Sequence, residues 1–155
     1  MSRHNIVHET IIEAPIESVW KEVINIDDWE WNRWTKLKCA KGPIEGNKGK
    51  LLACYEGNDE NWQEFDFEFG PVNESQHLLT WLGNVGPGGC LFSGYHTIEL
   101  EIINKDQTKL IHQEKFGGLL PLLGLGLPYT TLDRNYRRMN ESLKATVEKK
   151  KLAMK

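Results

Sequence analysis

Residues 116–150 limit the fold most: an apolar, glycine-broken run passes there into a long segment with the period of a helix. Tyr129, Leu132, Tyr136, Met139, Leu143 and Val147 recur at offsets of three and four across residues 129–150, so they share one stripe of an α-helix. Arg134, Arg137, Arg138, Glu141, Lys144 and Glu148 cover the other side. A terminal helix with a single greasy face needs a concave surface to lie in. The rest of the chain is expected to supply one. The helix start is open by a turn, because Thr130 and Asp133 suit a capping pair while Pro128 suits the first helical position. Asn140 falls within about 60° of the stripe centre and is expected to face whatever the stripe covers.

Upstream, Ile6, His8, Thr10, Ile12 and Ala14 alternate along one face of a first strand. Pro15 then opens a short amphipathic helix through Ile16, Val19, Trp20, Val23 and Ile24. Trp29, Trp31 and Trp34 follow within six positions, too close for one helix to point them all into a small core. They are expected to form a packing lid in which some face another element or a ligand. From Leu37 the pattern is strand and turn for about eighty residues, punctuated by Gly42-Pro43, Gly46-Asn47, Gly49 and Gly57-Asn58-Asp59.

The strand registers follow from keeping apolar sets on one side. Leu52 is placed opposite Phe65 and Phe67 opposite Leu79, which sets Phe65 opposite Trp81; Trp81 is then placed opposite Phe92, and Leu100 opposite Leu110. The inner face then reads Leu52, Cys54, Phe65, Phe67, Phe69 and Leu79, continuing through Trp81, Phe92, Ile98, Leu100, Leu110 and Phe116. The reverse carries Glu64, Asp66, Glu68, Thr80, Ser93, Thr97, Glu99, Gln113 and Lys115 and is expected to be solvated. Gln63, His77, His96, His112 and Glu114 also land on the dry side, with His96 directly opposite Glu114. A buried carboxylate needs a partner or a water-filled cavity. Gly83 and Gly94 would leave space beside larger side chains or let the sheet bend. The expected result is a polar-spotted hollow between sheet and helix, with the run at residues 119–127 as its mobile lip.

Composition narrows the class. At 155 residues, with no repeat, low-complexity tract or linker, residues 1–155 read as one domain. A net charge of −3 gives no footprint for nucleic acid, and Lys149-Lys150-Lys151 reads as a solvated helix end. Cys39, Cys54 and Cys90 are an odd count without metal spacing, and no signal peptide precedes Ile6, so a cytoplasmic setting is expected. The longest apolar stretch, residues 119–127, is too short to span a bilayer. His8, His77, His96 and His112 come from separate strands, so neither metal nor cofactor is expected.

Several segments resemble a known group. Ala14-Pro15 with Val19-Trp20 and the Trp-rich turn is similar to the opening of the START-like superfamily that includes the Bet v 1 allergens and polyketide cyclases. The segments Leu79-Thr-Trp81-Leu-Gly83, Phe92-Ser-Gly-Tyr-His96, Gln113-Glu-Lys-Phe-Gly-Gly-Leu-Leu-Pro121 and Met139-Asn-Glu-Ser-Leu-Lys144 resemble its bacterial polyketide cyclase/dehydrase and lipid-transport branch. The resemblance implies an α+β helix-grip fold: a seven-stranded curved antiparallel sheet wrapped around a long C-terminal helix, with two short helices after strand 1. It also implies an internal cavity for an apolar small molecule.

The expected function is therefore binding of a hydrophobic small molecule, a lipid, polyketide or aromatic compound, as carrier or sensor. Phe65, Phe67, Trp81, Phe92, Phe116 and Tyr136 would form the walls, and His96, His112, Glu114 and Asn140 the polar groups that orient the ligand. A plainer possibility is that His96 and Glu114 only satisfy each other beneath the helix. A second function class is a cyclase or dehydratase-type lyase or isomerase using His96 and Glu114 as base and orienter. A third is a protein-interaction module presenting Leu78, Leu82 and Leu91. Whether the chain is a monomer or a homodimer stays open.

Overall fold

A computed structural model describes residues 5–122 and 128–154. Seven antiparallel strands form one sheet in the order β1-β7-β6-β5-β4-β3-β2. They are β1 (Ile6–Ile12), β2 (Thr35–Lys38), β3 (Lys48–Ala53), β4 (Gln63–Asn73), β5 (Leu78–Val85), β6 (Phe92–Asn104) and β7 (Gln107–Gly117). Helix α1 (Ile16–Ile24) follows β1, and the second expected short helix is a single 3₁₀ turn, Ile26–Asp28. A one-turn α2 (Leu119–Leu122) precedes α3 (Tyr129–Ala153). Among the described residues no helix is long and apolar enough to cross a membrane.

The terminal helix behaves as its pattern requires. Leu132, Tyr136, Met139, Leu143 and Val147 are buried against the sheet, while Arg134, Arg137 and Arg138 stay exposed. Pro128 occupies the cap position with no side-chain cap, and Asp133 instead meets His8 Nε2 at 3.0 Å. The far end is clamped to β1. Lys144 Nζ donates to the Ile11 carbonyl at 2.8 Å and Glu148 Oε1 accepts from the Glu13 amide at 2.8 Å. Those backbone groups lie just where β1 turns into α1, so the clamp fixes the tilt of α3 across the concave face. Trp29 and Trp31 are buried in the core, and Trp34 is half-buried.

Two expected registers hold: Leu100 pairs with Leu110 and His96 with Glu114. Three others need correction. Phe69, not Phe65, lies opposite Trp81, and Leu79 faces Val72 across a bulge between Phe69 and Val72. Pro71 within that bulge has no N–H to donate, so the ladder is interrupted there. His96 rather than Phe92 is the β6 partner of Trp81, because the strands run four residues further and meet at Val85 and Phe92. A four-residue slip is even and leaves every side chain on its expected face. On β3 the slip is a single residue: Leu51 faces Phe65 and Leu52 faces Glu64, so Leu51 replaces Leu52 on the inner side.

Other residues depart from the expected two faces. His77 sits in the β4–β5 turn with φ 51° and lays its ring against Trp20, 5.5 Å away, outside the hollow. Gln63, at the first residue of β4, is exposed. Thr80 and Thr97 are buried although on the reverse face, and the Thr80 hydroxyl donates to the Pro71 carbonyl at 2.9 Å. Leu78 and Leu82 are half-buried, leaving Leu91 the exposed one of the three leucines expected there. Of the expected lip, residues 123–127 lie outside the described residues. Its first turn is held by Leu119 and Leu120 amides donating to the Cys90 and Leu91 carbonyls. Gly118 makes this possible: it has φ 96°, and a Cβ there would collide with the Leu91–Phe92 backbone.

Candidate ligand pocket

The hollow originates in two residues that lack side chains. Gly83 on β5 and Gly94 on β6 are direct cross-strand partners, so the inner face of the sheet has a gap where two side chains would otherwise meet α3. Around that gap lies a cleft of about 610 Å³ of empty space counting its open mouth. Its apolar walls include Trp34, Leu51, Phe65, Val85, Phe92 and Leu132. His96, Glu114, Tyr136, Asn135, Asn84 and Tyr55 supply its polar groups.

Gly94 also makes room for Glu114. A Cβ at residue 94 would collide with the Glu114 carboxylate, so only glycine lets this acid stand at the pocket wall. Its Oε1 accepts a hydrogen bond from the Tyr136 hydroxyl, and its Oε2 lies 3.5 Å from His96 Nδ1. His96 in turn is bonded through Nε2 to His112 Nε2, and His112 Nδ1 meets Asn140 Oδ1 at 2.9 Å. Trp81 stacks flat against His96, with ring centroids 4.1 Å apart and planes 14° apart.

This network fixes the tautomers. Asn140 Nδ2 donates to Thr10 Oγ1 and the His8 carbonyl, so Asn140 Oδ1 is the acceptor and His112 Nδ1 carries the proton. Burial, helped by repulsion from His96, pushes the His112 pKa well below the usual histidine value and keeps the ring neutral. His112 Nε2 then accepts, and His96 Nε2 must donate to it. Glu114 Oε2, 3.5 Å from the remaining ring nitrogen Nδ1, is placed to pair with His96. Burial and the neighbouring Glu114 charge raise the Tyr136 pKa well above its normal value, so its hydroxyl stays a donor. Tyr55 is pushed up to about 12, first by burial and then by Glu114.

A histidine held neutral by folding binds its proton more readily in the unfolded chain, so His112 costs stability as pH falls below its unfolded value of 6.5. Nothing is lost above that pH, where both states are neutral. Between pH 7 and 5.5 the wild-type protein should lose roughly 1 kcal/mol more unfolding free energy than a His112→Gln variant, read from urea curves. Equal losses would show that His112 titrates normally in the fold.

Of the residues expected to touch a ligand, Phe65, Phe92, His96, Glu114 and Tyr136 stand at the pocket. The others support it from behind. Phe67 packs edge-on against Phe69, Trp81 backs His96, and His112 and Asn140 continue the hydrogen-bond chain away from the cavity. Phe116 packs against Phe92 and Tyr129. Sequence reasoning missed Tyr55, Asn84 and Asn135 as pocket residues. Asn135 was legible in principle, since it lies three positions after Leu132 on the same helix. Tyr55 lies in the β3–β4 connection, where no periodicity applies. Among the described residues no three His, Cys, Asp or Glu side chains cluster as metal ligands.

A seven-stranded sheet gripping one long helix, with a cleft between them, defines the START-like, Bet v 1-like helix-grip fold. No family model and no curated protein matches the sequence. Solved structures do match. The Zhui aromatase/cyclase from Streptomyces sp. R1128 superposes with a TM-score of 0.72 at 10% identity over 93% of both chains. A START superfamily protein from Mycobacterium smegmatis gives 0.70 at 14% identity, covering 94% of this chain and 98% of its own. Ara h 8.0201, a Bet v 1 homologue, gives 0.67 at 13% identity, covering 94% of this chain and 98% of its own. At these identities the likeness is one of fold.

Proposed function

We propose that this protein binds a small, largely apolar molecule in the cleft between the sheet and α3, and that Glu114, His96 and Tyr136 orient it. The observation that carries this reading is the Gly83–Gly94 gap, which opens an apolar space directly beside a buried, hydrogen-bonded carboxylate. A sheet selected only for stability has little reason to leave such a gap, since unfilled space in a core forfeits packing contacts. Apolar walls would supply most of the affinity and the few polar groups the orientation.

A second reading, proton-transfer catalysis next to a carbonyl, is favoured by one specific feature: a carboxyl group and an imidazole, Glu114 and His96, stand 3.5 Å apart and both border the cavity. One experiment addresses both. Native mass spectrometry of protein purified from its own host should show a co-purifying small molecule that is released on denaturation. The released compound, returned to fresh protein, comes back unchanged if the protein is a carrier or sensor. An altered mass, with conversion stopped by Glu114→Gln, would establish the enzyme instead. A clean apo mass under conditions that preserve the fold would count against both.

A further inference from the structure

We infer that the pocket selects non-anionic aromatic molecules bearing a hydrogen-bond donor, such as a phenolic or alcoholic hydroxyl or an amide N–H, and discriminates against carboxylates. This rests on the cleft being the ligand site, as proposed above, and adds the chemical class of its occupant.

Charge supplies the first half. No Lys or Arg is among the described residues lining the cleft, and the lone carboxylate there is tied to His96. His96, the one lining side chain able to carry positive charge, already faces that carboxylate, so the cleft offers an anion no free counter-ion. A carboxylate entering the cleft would leave water without gaining a cationic partner, the costly case for a buried charge.

Hydrogen-bond bookkeeping supplies the second half. Asn135 is buried, 2% exposed, and its Nδ2 donates to the Tyr55 carbonyl at 2.9 Å. That bond fixes the amide orientation, since a carbonyl accepts only from the nitrogen. Asn135 lines the cleft, and its Oδ1 is thereby left a buried acceptor with no partner. An unmet buried acceptor is a standing cost, relieved by a ligand that brings a donor. Glu114 adds acceptor capacity, because Tyr136 and His96 engage each of its oxygens once and leave lone pairs over. The Tyr55 hydroxyl and Asn84 amide can present either sense. Trp34 Nε1 is also without a partner, but that donor is packed against Gly57, so the demand set by Asn135 and Glu114 is for donors. The aromatic part of the ligand meets Trp34, Phe65 and Phe92, whose faces suit flat rings.

The test compares 1-naphthol, its methyl ether 1-methoxynaphthalene, and 1-naphthoate by tryptophan fluorescence titration at neutral pH. On the wild-type protein 1-naphthol should bind about tenfold more tightly than the ether, which lacks only the donor, and 1-naphthoate should bind most weakly. Asn135→Leu should bring 1-naphthol down to the affinity of the ether without weakening the ether itself. Naphthoate binding as tightly as naphthol, ether binding equal to naphthol in the wild type, or a full naphthol preference retained in Asn135→Leu would each overturn the inference. The wild-type comparison needs no variant and stands even if Asn135→Leu misfolds. If none of the three compounds binds, the cleft reading itself fails.

Discussion

Replacing Trp81 with alanine is expected to lower unfolding free energy by about 3–5 kcal/mol, a large share of the stability of a domain this size. The indole is fully buried in the middle of the sheet, stacked on the His96 ring and packed at a tilt against Trp29. Its Nε1 has no hydrogen-bond partner, so the loss is one of packing and cavity formation alone. The melting temperature should fall by roughly 10 °C, while Trp81→Phe, which keeps a ring against His96, should recover about half of that. The same substitution should loosen His96, whose plane is set by the stack. A Trp81→Ala protein that melts within a degree or two of wild type would contradict the assignment of this residue to the centre of the core.

The residues that decide the fold were largely readable in advance. A period of 3.6 in residues 129–150 and a period of 2 in the strands each depend on one physical rule, burial of one face, and the rule survives local error. The register of β4 with β5 shows this: the expected pairing was off by four residues at Trp81 and by five at Leu79, yet Phe67, Phe69, Leu79 and Trp81 still face inward because four is even and the bulge takes up the fifth. Leu51 and Leu52 show the opposite, since both are apolar and nothing in their pattern says which one turns in. The bulge at Gly70–Pro71 could not be counted from loop length.

The candidate site was legible where it lies on regular strands. His96 and Glu114 were paired correctly because the β6–β7 hairpin is long and its turn short. The hydrogen-bond chain beyond them was not: that His96 meets His112, and His112 meets Asn140, depends on side-chain rotation and on how α3 lies across the sheet. Tyr55 and Asn84 were missed for a related reason. The β3–β4 connection and the end of β5 approach the cleft through curvature of the sheet, which residue types do not encode.

The account turns on the claim that the Gly83–Gly94 gap is a ligand chamber, and Gly83 offers the cleanest way to close it. A Cβ at Gly83 would meet only Leu51 Cδ1, at 3.8 Å, and the backbone there has no positive φ, so a leucine side chain can enter the empty space without disturbing the strand. Gly94 cannot be used for this purpose because of Glu114. Filling a cavity with apolar atoms is expected to leave the melting temperature unchanged or raise it. The decisive measurement is a fluorescence titration of wild type and Gly83→Leu with the neutral, environment-sensitive dye N-phenyl-1-naphthylamine. Wild type should saturate at one dye per chain, and the folded variant should bind about a hundredfold more weakly or not at all, because several methylene-sized groups now occupy the site. Equal binding by a well-folded Gly83→Leu protein, or no saturable binding by the wild type, would contradict the account.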